Sequence, residues 1–143
     1  MSSHLEPVVD TAELLRYQND YFTMECNPKE PVVYIELYGY YDETATQHYL
    51  DGLYLCFDRI KSDKEVALFH DVAKFKGISM KGRKLVSGAS KHPRSKYTVL
   101  YGANSLMRTI ATILLYATGK GNELKFVKDR EEGLKWLYEQ YEQ

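Results

Sequence analysis

The chain has 143 residues and a formal net charge of −1, and its apolar (44%) and charged (27%) fractions are those of a globular protein rather than a fibrous or disordered one. That length suits one domain and buries about two-thirds of the surface an unfolded chain exposes. No apolar run approaches the roughly 20 residues that span a bilayer, and Met1 to Pro7 lack the basic start and apolar core of a secretory signal.

Thr11 to Tyr17 reads as a short helix with Leu14 and Leu15 on its apolar side, inside an N-terminal extension over residues 1–19. A domain over 20–143 follows. Its first strands are Asp20–Glu25 and Val32–Tyr38, joined by the polar, proline-rich Asn27–Pro31, a connection short enough for an antiparallel hairpin. Gly39 ends the second strand. Asp42 then caps a helix whose apolar positions Ala45, Tyr49, Leu53, Cys56, Phe57 and Ile60 recur at helical spacing. Glu65–Asp71 is a third strand. Ile78 to Ser90 is a weaker helix, diluted by Gly82 and Gly88 and closed by His92–Pro93.

The β-branched and aromatic run Lys96–Tyr101 is a fourth strand, and Gly102–Asn104 opens an apolar helix from Ser105 to about Thr118. Gly119–Asn122 stops that helix, Leu124–Val127 forms a fifth strand, and Asp129 caps a last helix carrying Leu134, Trp136 and Leu137. The order β-β-α-β-α-β-α-β-α predicts an α/β domain with a five-stranded mixed sheet. Parallel crossovers are right-handed, so strands that add side by side put their connecting helices mainly on one face. On the second strand Val33, Ile35 and Leu37 form one side and Tyr34, Glu36 and Tyr38 the other. Interior parallel strands are usually apolar on both sides. The Tyr34–Tyr38 side is therefore the one expected to be wet or partnered, and it supplies the candidate interface of a homodimer. The competing arrangement lays Leu14 and Leu15 over Tyr34 and Tyr38 within the molecule.

Charge is distributed unevenly. Residues 1–71 carry fourteen acids against five Lys or Arg, whereas Val72 to Asn122 has ten Lys or Arg and no acid. Such asymmetry predicts an electropositive face, or halves that complement each other within or between molecules. Cys26 and Cys56 have no Cys-x-x-Cys spacing and read as buried free thiols of a reducing, cytoplasmic setting. The histidines (His4, His48, His70, His92) show no metal-ligand spacing, and there is no Gly-x-Ser-x-Gly elbow or glycine-rich phosphate loop. No metal, cofactor or catalytic residue is expected. One junction does suit a ligand. Gly102–Ser105 joins a strand end to a helix N-terminus, where free N–H groups favour an anion. Asn104, Ser105 and Arg108, helped by Lys81, are the candidate anion-binding residues.

The strand end Val99–Leu100–Tyr101–Gly102, the helix after it and the ending Phe126-x-x-Asp129-x-x-Glu132-Gly133-Leu134-x-Trp136-Leu137 resemble the SpoIIAA-like (STAS-type) superfamily over residues 20 to 141. That resemblance implies a binding or regulatory module, related in fold to the lipid-binding CRAL-TRIO domains. Its anti-sigma-factor antagonists carry a phosphorylatable serine in an Asp-Ser-Ser-Gly type turn after the third strand. The corresponding segment here, Asp71 to Ser79, lacks the Asp-Ser pair, places Lys76 near the acidic position and leaves Ser79 as the candidate phosphosite. The reading is a non-enzymatic cytoplasmic binding or signalling module that acts through a protein partner, with nucleic acid not expected. The alternative is a carrier of a small anionic or lipid-like ligand, or a small enzyme, using the strand ends near Gly102 and Ser79.

Overall fold

The computed structural model describes residues 5–89, 95–102 and 123–142. Seven strands form one mixed sheet in sequential order: β1 (Val9–Asp10), β2 (Leu15–Gln18), β3 (Phe22–Cys26), β4 (Val32–Tyr41), β5 (Val66–Ile78), β6 (Ser95–Tyr101) and β7 (Glu123–Phe126). β1 to β4 pair antiparallel and β4 to β7 parallel. The expected β3–β4 hairpin forms, with Phe22 opposite Leu37 and Cys26 opposite Val33. β5 and β6 are parallel, with Leu68 opposite Thr98 and His70 opposite Leu100.

The sheet has two more strands than the five expected, both at its N-terminal edge. The segment expected as a helix, Thr11–Tyr17, is instead the turn after β1 and most of β2. Thr11 turns the chain there, its Oγ1 accepting from the Leu14 and Glu13 amides. Leu15 and Tyr17 then point into the core while Arg16 and Gln18 point out. That alternation is the period of a strand, and the open edge of β3 offers its ladder as partner. Arg16 also clasps Glu25 across the pair, with Nε and Nη2 donating to Oε2 at 2.9 and 2.8 Å.

Three helices occur among the described residues: α1 (Glu43–Arg59), α2 (Met80–Ala89) and α3 (Arg130–Tyr141). The helix expected over Ser105–Thr118 lies outside them. Asp42 caps α1 by accepting from the Ala45 amide at 2.8 Å, and Asp129 caps α3 by accepting from the Glu132 amide at 2.9 Å. α1 and α2 connect successive parallel strands and lie on one face of the sheet. The larger core forms there, from Leu15, Phe22, Met24, Ile35, Leu53, Cys56 and Phe57, with Leu85 and Val86 of α2 against it.

α3 sits on the opposite face. The handedness rule binds only helices that return the chain to a parallel strand, and α3 follows the last strand, so its side is chosen by packing. Its Leu137, Leu134 and Trp136 close a second core over Val32, Ala67, Phe69, Tyr97 and Val99. The helix approaches β5 and β6 closely at Gly133, where an added Cβ would stand 2.8 Å from Val99 Cγ1 and 2.9 Å from Phe69 Cε2. Gly133→Ala should therefore destabilise the chain by about 1–3 kcal/mol through overpacking, outweighing the roughly 1 kcal/mol gained in helix propensity. Urea unfolding measures this, and an alanine variant as stable as the parent would show that α3 can move off the sheet.

Candidate functional site

The second face carries polar as well as aromatic side chains. Sheet register aligns them in rows. Arg16, Glu25, Tyr34, Phe69 and Val99 form one row, and Gln18, Thr23, Glu36, Asp71 and Tyr101 the next. Beyond these, Tyr38 stands opposite Lys74, because β5 gains a residue between Asp71 and Lys74 while β4 goes from Glu36 to Tyr38. The strand continues past this bulge to Ile78, where the sequence suggests a turn after Asp71.

α3 covers only part of this face. Tyr34 is half-buried, packed edge-on against Phe69 with ring centroids 5.5 Å apart, and the Arg130 guanidinium lies 4.0 Å above its ring centre. Burial pushes the Tyr34 phenol up to about 12. Tyr38 is further from the helix. Its hydroxyl shares a 2.7 Å hydrogen bond with Thr23 Oγ1, and Lys74 Nζ lies 5.7 Å from its ring centre and 3.3 Å from Glu36 Oε1. The two tyrosines of the candidate interface thus differ: Tyr34 is held inside the molecule and Tyr38 stands on an open strip. Leu15 does not cover either, being buried in the core on the other side of the sheet.

Ser79 is the residue between β5 and α2. Its Oγ accepts from the Gly82 amide at 3.0 Å and its own amide donates to the Tyr41 carbonyl at 2.8 Å, so it caps α2. Lys81, in the first turn of α2, is 80% exposed, with Nζ 3.9 Å from Glu43 Oε2. Asn104, Ser105 and Arg108 lie outside the described residues. Gly102, which leads to them, has φ +76°, and a Cβ there would meet Asp71 Oδ1 at 3.0 Å and the Ala73 amide nitrogen at 3.1 Å. That strand end therefore requires glycine.

The charge halves meet within the molecule. Lys74, Lys81 and Lys96 of the acid-free stretch pair with Glu36, Glu43 and Glu65 of the first half. Each pair is exposed and worth at most about 1 kcal/mol. Among the described residues no group of three His, Cys, Asp or Glu is placed to hold a metal, and no helix is long and apolar enough to cross a membrane.

No family model matches the sequence, and no curated protein matches it. Solved structures do. A crystal structure of an uncharacterised DUF3478-family protein with a SpoIIAA-like fold, from Shewanella loihica, superposes with a TM-score of 0.61 at 14% identity, covering 90% of this chain and 97% of that one. The anti-sigma factor antagonist SpoIIAA in its unphosphorylated form superposes with a TM-score of 0.55 at 15% identity, covering 82% and 97%. The fold is SpoIIAA-like. Within the SpoIIAA-like frame the expected parallel strands and the first two crossover helices, α1 and α2, are in place, and β1 and β2 extend the antiparallel edge.

Two pairings escaped the sequence because each joins residues far apart in the chain. Cys26 of β3 and Cys56 of α1 are both free, buried and in contact; that contact, with burial, pushes the Cys56 thiol well up. Tyr49 of α1 and His70 of β5 share a 2.6 Å hydrogen bond between Oη and Nε2, both buried. Helical spacing places Tyr49 on the inner side of α1 and strand alternation places His70 inward, so the pair was derivable once β5 was known to lie beneath α1. Its burial keeps it from any substrate and gives it a structural role.

Burial drives the His70 imidazole down to about 4, from an ordinary value of 6.5. The unfolded chain therefore binds a proton that the folded chain refuses between those values. The stabilisation is complete above about pH 6.5 and is lost as pH falls toward 4, by up to about 3 kcal/mol. Denaturant unfolding from pH 7 to 4 should show this slope, and His70→Leu should flatten it whatever its stability at pH 7. An equal slope in that variant would assign the acid sensitivity elsewhere.

Proposed function

We propose that this protein is a non-enzymatic, cytoplasmic module of the SpoIIAA-like type that works by protein–protein contact, and that its first partner is a second copy of itself. One observation carries the reading: the strip of the second face over β2 to β4 and the bulged part of β5 that α3 leaves uncovered. Thr23, Glu36, Tyr38, Lys74, Arg16 and Glu25 occupy it, a tyrosine among charges already paired with one another. A tyrosine combines a large apolar body with a hydroxyl that tolerates water, which suits an interface. Paired charges of both signs make the strip self-complementary, as a two-fold contact between identical chains requires.

SpoIIAA, which shares this fold, is an anti-sigma factor antagonist, and that likeness supports action through a protein rather than on a substrate. Ser79 is the position at which such a module would be switched, since a phosphate on a helix-capping serine is favoured by the helix dipole. Fold similarity and the open strip support the reading together; neither depends on a catalytic group.

Light scattering at tens of micromolar should report a dimer, and Tyr38→Glu should return it to monomer with the chain still folded. A monomeric parent protein rejects the second copy as partner. A dimer that survives Tyr38→Glu places its contact on another surface. Tyr34 is unsuitable for this test, because a glutamate there would be forced beneath α3.

A further inference from the structure

Arg130 opens α3, and its guanidinium is held rather than free. It stacks over the Tyr34 ring at 4.0 Å, with the Tyr101 hydroxyl close enough to act on its charge. Stacking occupies the flat face of a guanidinium and leaves the N–H donors of its edge, which match a carboxylate or phosphate in two-point geometry. One donor is engaged by the Tyr101 hydroxyl; Glu25, beside Tyr34 in the sheet register, acts on the Arg130 charge, but that carboxylate is already clasped by Arg16, as Glu36 is by Lys74, and Arg130 makes no ion pair of its own among the described residues.

Residues 1–4, 90–94 and 103–122 contain no Asp or Glu. Glu123 pairs in register with Tyr97, toward the other end of β6 from Tyr101. An arginine oriented by an aromatic shelf and making no direct ion pair among the described residues is prepared to take a carboxylate from outside. Nearby charge limits what that ion is. Asp71 lies directly beside Tyr101 in the sheet register, and Glu36 beside Asp71. These carboxylates oppose a doubly charged group more than a singly charged one.

We propose that Arg130, stacked on Tyr34 with Tyr101 beside it, forms a binding site for a singly charged carboxylate, either a small organic acid or an acidic side chain of a bound protein. The site does not depend on the self-association reading, since neither Tyr38 nor a second copy takes part in it.

The test follows the Arg130 Nε–H signal by NMR in the full-length protein, at constant ionic strength maintained with chloride. The probes are acetate, inorganic phosphate at pH 8 and an acetylated tri-glutamate peptide. Acetate should move the signal saturably and by more than phosphate does. Arg130→Gln should abolish the accompanying shifts at Tyr34 and Tyr101, and Arg130→Lys, which keeps the charge but loses the plane, should reduce them at least about threefold. Asp71→Asn should raise the phosphate response toward that of acetate.

If the peptide saturates the signal at about tenfold lower concentration than acetate, the carboxylate is supplied by a protein; equal concentrations indicate a small acid. The proposal is overturned if neither carboxylate probe moves Arg130, if the Tyr34 and Tyr101 shifts persist in Arg130→Gln, or if phosphate outcompetes acetate in the parent protein.

Discussion

The right-handed crossover governs the layout of this molecule. β4, β5 and β6, parallel and each laid beside the last, send their connecting helices to the same side. α1 and α2 therefore build one thick layer over β2 to β6, and the larger core lies beneath them. Among the described residues the other face is left to α3 alone. A helix of 12 residues is about 18 Å long and 10 Å wide, whereas seven strands at about 4.8 Å spacing span about 29 Å from first to last. One such helix covers about two strands. It takes β5 and β6, and no other described helix lies over the second face of the antiparallel edge.

The side chains on that edge answer to this exposure. Where α3 lies, the second face is Phe69, Val99, Ala67 and Val32. Where it does not, the same face carries Thr23, Glu25, Glu36 and Tyr38, each tied laterally to a neighbour: Thr23 to Tyr38, Glu25 to Arg16, Glu36 to Lys74. Tyr34 marks the boundary, half beneath Arg130 and half beside the polar rows. The change from apolar to polar occurs within β4 itself, between Val32 and Glu36, so one strand contributes to both the second core and the open strip.

Much of this was legible in the sequence where a period and a cap agreed. Asp42 and Asp129 cap the helices assigned to them, the β3–β4 hairpin follows from its five-residue connection, and the alternation along β4 separates Val33, Ile35 and Leu37 from the tyrosines. The misreadings have physical causes. Leu14 and Leu15 are adjacent, and two adjacent leucines fit a helix or a strand end equally well; the vacant edge of β3 decided it. β5 overruns its expected end because β4 offers ladder partners through Tyr41. Only the crossover helices were expected on one face; α3 makes no crossover, and Gly133 is the sequence signal for its close seat on Phe69 and Val99. The stack of Arg130 on Tyr34 joins positions nearly a hundred residues apart, and no local pattern encodes it.

The central claim is that the uncovered strip, and not the helical layer, is the surface through which this protein makes contact. A dilution series of backbone amide NMR spectra tests it most directly. Resonances of Thr23, Glu36, Tyr38 and Lys74 should shift together with concentration along one binding curve, while those on the outer sides of α1 and α2 stay fixed. Concentration-dependent shifts confined to α1 and α2, with the strip unchanged, would contradict the account.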